Sequence, residues 1–315
     1  MSERVHALPV ELIYKVRFRF LFLCRLIDCS VGQVDRGAVT FFLHLLPTSL
    51  VFLFASVDKA SIPILLLVCK SSYAWLVPIL YHSIEFTTSD QISKFLHSLD
   101  TDAGPLDSPF PFVRNLYIGE TPSNVGDLSY ASTNWSVTTL SRLLWMSRSL
   151  ERLTIINLDQ NEWHKLDHTI PSSVEYLTMG PVHGSFRPQD MKQKLSLKHF
   201  TSISTYMRDD EIQDIICYPS MRTFRRILEA STMAPQWAVE QVGCISQSKH
   251  LDNMEILLFG RHEYTVLVAE VIQEQLKSIT QDPRAIITRD GRTWNAIVYG
   301  EYQRSKFAFQ RLLVE

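Results

Sequence analysis

One spaced pattern limits what this chain can fold into. The motif apolar-x-x-apolar-x-apolar recurs along its C-terminal two thirds. Val113-Leu116-Ile118, Leu150-Leu153-Ile155 and Val174-Leu177-Met179 are full copies. Leu197-Phe200-Ser202 and Met221-Phe224-Arg226 are degraded copies, and Leu251-Met254-Ile256 is the last. Start-to-start spacings are 37, 24, 23, 24 and 30 residues. The alternation inside each copy is that of a strand with one apolar face. Such a strand cannot bury that face alone, so neighbouring units must stack.

A period of roughly 20–29 residues with this core pattern resembles that of leucine-rich repeats. The expected fold class is α/β, with a leucine-rich-repeat-like solenoid over residues 112–315. The connecting segments carry helical spacing: Val137 to Leu144, then Ile212, Ile215 and Ile216, then Trp237, Val242 and Ile245, then Tyr264 to Leu276. Asp209, Asp210 and Glu211 suit a helix start better than an acid–base cluster. Asp282-Pro283-Arg284-Ala285-Ile286-Ile287 reads as loop then strand, and Asp290-Gly291 is a hairpin signal. The segment bearing Trp294 is expected to cap the solenoid.

The N-terminal third carries a second resemblance. Leu8-Pro9, Glu11-Leu12-Ile13, Leu67-Val68-Cys69-Lys70-Ser71 and Leu76, Pro78, Leu80, Tyr81 resemble an F-box, specifically that of fungal F-box proteins with leucine-rich-repeat-like tails. The closing block around Asp282-Pro283-Arg284 and Trp294 looks like the end of the same family. The resemblance implies a three-helix F-box-like region within residues 1–99. Its spacing departs from the family: Leu8 and Val68 stand 60 positions apart. Removing the 37 residues Arg17 to Leu53 brings the separation to 23 and joins the text into an unbroken F-box. Residues 17–53 are therefore read as an insertion, with a translated intron or gene-model error as one source. A rival reading uses the uncharged stretch Gly37 to Val57, 21 residues long, as a membrane span. His44, Pro47, Thr48 and Ser49 oppose it.

Between these regions, His82-Ser83-Ile84-Glu85-Phe86 alternates as a strand, and Thr88 to Gln91 has capping-box spacing before the stripe Ile92, Phe95, Leu96, Leu99. Residues 100–111 read as a boundary loop.

The resemblance implies a role: substrate-recognition subunit of an SCF-type cullin–RING ubiquitin ligase. The implied partners are a Skp-family adaptor, the cullin scaffold and an unidentified protein substrate. Adaptor contacts are expected from Leu8, Pro9, Leu12, Ile13, Val68, Leu76, Leu80 and Tyr81, apolar anchors of the kind that dominate interfaces. Target contacts follow from strand alternation, which puts the residues between the apolar positions on the opposite, concave surface. They are Asn115, Tyr117, Arg152, Thr154, Tyr176, Thr178, His199, Thr201 and Arg225. An alternative is a membrane-anchored repeat protein using residues 37–57, and another is a binding protein whose F-box the insertion has disabled.

Other chemistry is sparse. Lysine plus arginine is 31 against 33 acids, which gives no general attraction to nucleic acid. Five cysteines without paired spacing point to a reducing compartment, hence a cytoplasmic or nuclear location. Eleven scattered glycines form no phosphate loop. His164 and His168 have zinc-helix spacing without the glutamate or a third ligand. Cys69, Cys217 and Cys244 read as packed residues, and Asn134-Trp135-Ser136 is a sequon without a signal peptide. No nucleophile–base pair, cofactor or metal is expected, and the chain is read as a non-enzyme.

The insertion carries a test. Loop-closure cost grows by only about 0.6 kcal/mol per doubling of length, but this insert is strongly apolar. The chain lacking Arg17 to Leu53 should bind a Skp-family adaptor more tightly and be more soluble, measured by co-expression and gel filtration of both forms.

Overall fold

A computed structural model describes residues 77–102, 109–122 and 135–312. The chain divides into two compact units, Met1–Leu80 with Phe307–Glu315, and Tyr81–Lys306. Nearly all described residues belong to the second. Residues 77–81 are helical. The F-box-like segment before them, the insertion 17–53 and the apolar stretch 37–57 lie outside the described residues.

The second unit is built on one sheet of eight strands, all parallel and in chain order. They are β1 (Ser83–Phe86), β2 (Asn115–Ile118), β3 (Arg152–Ile156), β4 (Tyr176–Gly180), β5 (His199–Ile203), β6 (Thr223–Glu229), β7 (Asn253–Phe259) and β8 (Ala285–Asp290). The helices between them are α1 (Ser89–Asp102), α2 (Val137–Met146), α3 (Asp209–Ile216), α4 (Ala234–Glu240), α5 (His262–Ile279) and, after β8, α6 (Trp294–Leu312). Parallel neighbours require a crossover, and the helices or turns supply it.

The register puts the apolar positions in one row. Leu116 pairs with Leu153, Leu153 with Leu177, Leu177 with Phe200, Phe200 with Phe224 and Phe224 with Met254. All six are buried, as are Ile92 and Leu96 of α1, Leu140, Leu143 and Leu144 of α2, and Ile212, Ile215 and Ile216 of α3. They form the main core on the helix-bearing face. Phe200 and Phe224 stack with ring centroids 5.9 Å apart.

Local signals set several element ends. Thr88 Oγ1 accepts from Gln91 N at 3.3 Å and so caps α1. The reciprocal bond goes one residue further out, because Gln91 Oε1 accepts from Thr87 N at 2.8 Å. Ser136 caps α2 by accepting from Thr139 N. Gly180 ends β4 at φ 139°, and a Cβ there would stand 2.6 Å from Ile203 Cβ.

The expected leucine-rich-repeat-like solenoid is corrected. The structure shows an eight-stranded all-parallel sheet alternating with helices, and no solenoid. In a solenoid each unit touches only its neighbours. Here α6 returns across the second face of the sheet. Its Ile297, Val298 and Tyr302 form a separate core with Tyr117 of β2, Ile156 of β3, Ile203 of β5, Ile227 of β6 and Leu257 of β7. The crossovers are also unlike one another. A 3-10 turn at Trp163–Lys165 stands after β3, no α-helix follows β4, and α5 has 18 residues against eight in α3.

Two local expectations also change. Asp290-Gly291 forms no hairpin: Asp290 Oδ1 accepts from Arg292 N at 2.9 Å, and the chain turns into α6. Trp237 does not share the buried face of Val242 and Ile245 but stands exposed beside Tyr206, ring centroids 6.1 Å apart.

The sheet phase is testable. Leu153→Ala and Leu177→Ala should each cost about 2–5 kcal/mol in denaturant unfolding, as buried truncations do. Thr178→Ala, on the other face, should be near neutral.

Candidate functional site

The face opposite the main core carries polar residues in two rows. The first row runs across β2 to β6 as Asn115, Arg152, Tyr176, His199 and Thr223. The second runs as Tyr117, Thr154, Thr178, Thr201 and Arg225. Beyond them, α6 covers the ends of the strands. The open part of the face is therefore a strip bounded by a helix.

The centre of the strip is a stack. The Arg152 guanidinium lies 3.3 Å from the centroid of the Tyr176 ring. Tyr176 and His199 stack at 4.2 Å with 9° between planes. In-register strands put the three side chains side by side, so the sheet itself builds the stack. Burial holds the His199 ring below its usual pKa, and the positive charge of Arg152 acts the same way.

Beside the stack lies a cavity of about 100 Å³. Thr154, Thr178 and Thr201 line it from the sheet, and Val298, Glu301 and Tyr302 from α6. Tyr302 is only 7% exposed, and its hydroxyl has no hydrogen-bond partner. Glu301 is engaged elsewhere, accepting from Arg225 Nη1. Arg225 also pairs through Nε with Glu255 at 2.9 Å. Across the helix, the Tyr299 hydroxyl donates to Glu85 Oε1 at 3.1 Å. These contacts hold α6 along the edge of the strip.

Six of the nine expected target-binding residues, Arg152, Thr154, Tyr176, Thr178, His199 and Thr201, come together here and are partly exposed. The other three are occupied. Asn115 is buried and donates to Ser83 Oγ at 2.9 Å. Tyr117 is buried under α6, donates to Glu120 O at 2.9 Å and packs on Tyr302 at 5.0 Å. Arg225 is tied into its two ion pairs. Of the expected adaptor residues, Leu8, Pro9, Leu12, Ile13, Val68 and Leu76 lie outside the described residues. Leu80 is partly buried. Tyr81 packs on Phe95, centroids 6.3 Å apart.

Sequence reasoning missed Glu301 and Tyr302. The available signal was the spacing Trp294, Ile297, Val298, Tyr302, an apolar helix face that needed a surface to cover.

The sheet's other side holds a buried polar network. His183 Nδ1 faces Gly184 O at 2.6 Å, which requires the proton on Nδ1. Nε2 then accepts from Ser202 Oγ at 2.8 Å. A serine–histidine contact is the geometry of an activated nucleophile. Ser202 is 1% exposed and His183 4%, so no substrate meets this one in the folded chain. Arg226, also buried, donates to Thr205 O at 3.1 Å and to Gln241 Oε1 at 2.6 Å. The Glu211 carboxylate accepts from Phe186 N at 2.8 Å, and burial holds its pKa up. Burial likewise pushes the Cys244 thiol up to about 11. Among the described residues no group of three His, Cys, Asp or Glu could hold a metal ion. None of the described helices is long and apolar enough to cross a membrane.

No family model, no curated protein and no solved structure matches the chain.

His183 sets a pH dependence. Burial brings its pKa down to about 4, below the ordinary value of 6.5. As pH falls below 6.5 the unfolded chain takes up a proton that the folded chain resists. The contribution is complete above 6.5 and is lost as pH falls toward 4, on the order of 3 kcal/mol. Glu211 works in the opposite direction near its own titration, so the His183 share is the difference between wild type and His183→Gln in urea unfolding at pH 7.5 and pH 4.5.

Proposed function

We propose that the chain is a substrate-recognition subunit of an SCF-type cullin–RING ubiquitin ligase. The F-box-like residues Leu8, Pro9, Leu12, Ile13, Val68, Leu76, Leu80 and Tyr81 dock on a Skp-family adaptor, which joins the cullin scaffold. The parallel-sheet unit holds the target through the strip around Arg152, Tyr176 and His199. The chain supplies no catalytic group; it raises the local concentration of a target lysine near the ubiquitin carrier. Such a subunit works in the cytoplasm or nucleus.

The observation that carries the reading is the strip. It is a partly exposed set of tyrosine, arginine, histidine and threonine side chains on a sheet whose opposite face is packed by helices. Tyrosine and arginine are enriched in partner contacts, where they supply area at low entropic cost. A sheet fixes their positions better than a loop does.

The full chain, co-expressed with a Skp-family adaptor, should co-elute with it on gel filtration at equal stoichiometry. Absence of co-elution overturns the ligase reading. Thr178→Arg, which fills the middle of the strip, should leave that co-elution unchanged and abolish capture of the target by the complex, and with it ubiquitin transfer.

A further inference from the structure

The chemistry of the cavity narrows what the strip receives. Most arginines of the sheet unit already have a carboxylate. Arg114 pairs with Glu151, Arg142 with Asp100, Arg187 with Asp210, Arg284 with Asp282 and Arg292 with Asp290. Arg152 has no carboxylate partner among the described residues. Its guanidinium rests on the Tyr176 ring, which orients the fork and leaves its N–H groups unspent.

Other donors gather beside it. Thr154, Thr178 and Thr201 line the cavity in consecutive strands, and their hydroxyls bond to no other described group. Tyr302, more than nine-tenths buried, lines the same cavity, and its hydroxyl has no hydrogen-bond partner. A buried phenol with no partner is a costly arrangement, and a bound acceptor relieves it. The one carboxylate in the lining, Glu301, pairs with Arg225 and lies 3.9 Å from Arg304. Glu85 of β1 is bonded by Tyr299 of α6. The cavity is thus rich in donors, and its one unspent formal charge is positive.

We propose that this cavity receives a carboxylate side chain of the partner protein, an aspartate or glutamate, with Arg152 and the Tyr302 hydroxyl donating to its oxygens. The inference rests on the strip being the partner-binding surface. A cavity of about 100 Å³ admits a carboxylate with its short stem. A carboxylate accepts several donors at once, and bonds from a charged donor are about twice as strong as neutral ones. The corresponding amide would set its own N–H groups against these donors.

The test uses the full chain with labelled threonine methyl groups, titrated with N-acetyl-glutamate N-methylamide and with the glutamine analogue. The methyl signals of Thr154, Thr178 and Thr201 should shift saturably with the glutamate probe, and about tenfold more weakly with the glutamine one, a factor of ten being about 1.4 kcal/mol. Arg152→Gln should abolish the shift, and Arg152→Lys should keep part of it. Tyr302→Phe should weaken binding severalfold without lowering the thermal midpoint, which a merely structural hydroxyl would not do. Equal response to both probes, no saturable response, or a response to inorganic phosphate alone overturns the assignment. Each of these leaves adaptor co-elution untouched. Failed co-elution with a retained glutamate response sinks the ligase reading alone.

Discussion

The sheet depends on one main-chain contact made again at the start of each strand from β2 to β7. A single carbonyl just before one strand accepts from two successive amides of the next. His82 O accepts from Arg114 N and Asn115 N, Arg114 O from Glu151 N and Arg152 N, and Glu151 O from Glu175 N and Tyr176 N. Glu175 O, Lys198 O and Arg222 O repeat the arrangement at β5, β6 and β7. The lengths run from 2.7 to 3.2 Å. Because a one-residue slip would turn every side chain to the wrong face, this contact sets which residues reach the core and which reach the strip. Ser173, Ser220 and Ser248 brace the turns before several strands by donating to Leu150 O, Leu197 O and Ile216 O.

The register makes a two-sided sheet, and two-sided parallel sheets must be covered. Helices α1 to α5 and the turns between them cover one side. On the other, α6 covers only the strand ends, where Ile156, Ile203, Ile227 and Leu257 lie. The starts of the strands carry Arg152, Tyr176, His199 and Thr223 instead, and these tolerate water. One strand thus serves both purposes by changing residue type along its length. The ion pairs of Arg225 and the hydrogen bond to Glu85 sit at the border between the dry and wet halves, where partial burial strengthens them.

The strand rows were legible because alternation is a local signal. Leu153, Leu177, Phe200 and Phe224 could be assigned to one face from spacing alone. So could the cap at Thr88. The path of α6 was not legible, because periodicity tells which helix face is apolar and not what it covers. Tyr117 meets that helix 178 residues further along the chain. The solenoid expectation failed for this reason: a regular period describes neighbouring units and is silent about a terminal helix folding back over them. Six strip residues were identified by alternation, but Asn115 and Tyr117 obey the same alternation and are buried. Their burial comes from β1 and α6, which the strand pattern does not contain. At Asp290-Gly291 the hairpin signal lost to a side chain, since the Asp290 carboxylate accepts the Arg292 amide and starts a helix.

The two degraded copies of the motif have a structural cause. Ser202 and Arg226 replace apolar residues at one row position, and the register pairs them with each other. Both are buried, so each polar group needs a partner. Ser202 finds His183, from the loop after β4. Arg226 reaches Thr205 O after β5 and Gln241 after β6. Gln241 passes the network on to Met207 O and Asp209 Oδ1 at the start of α3. The segments after β4, β5 and β6 are thus joined through the core. Apolar residues at these two positions would pack at least as well, since buried charges are weak contributors to stability. They would remove the directional contacts that Ser202 and Arg226 make with His183, Thr205 O and Gln241. The polar pair therefore specifies one arrangement of these segments, at the only step of the sheet where adjacent strands both break the apolar row.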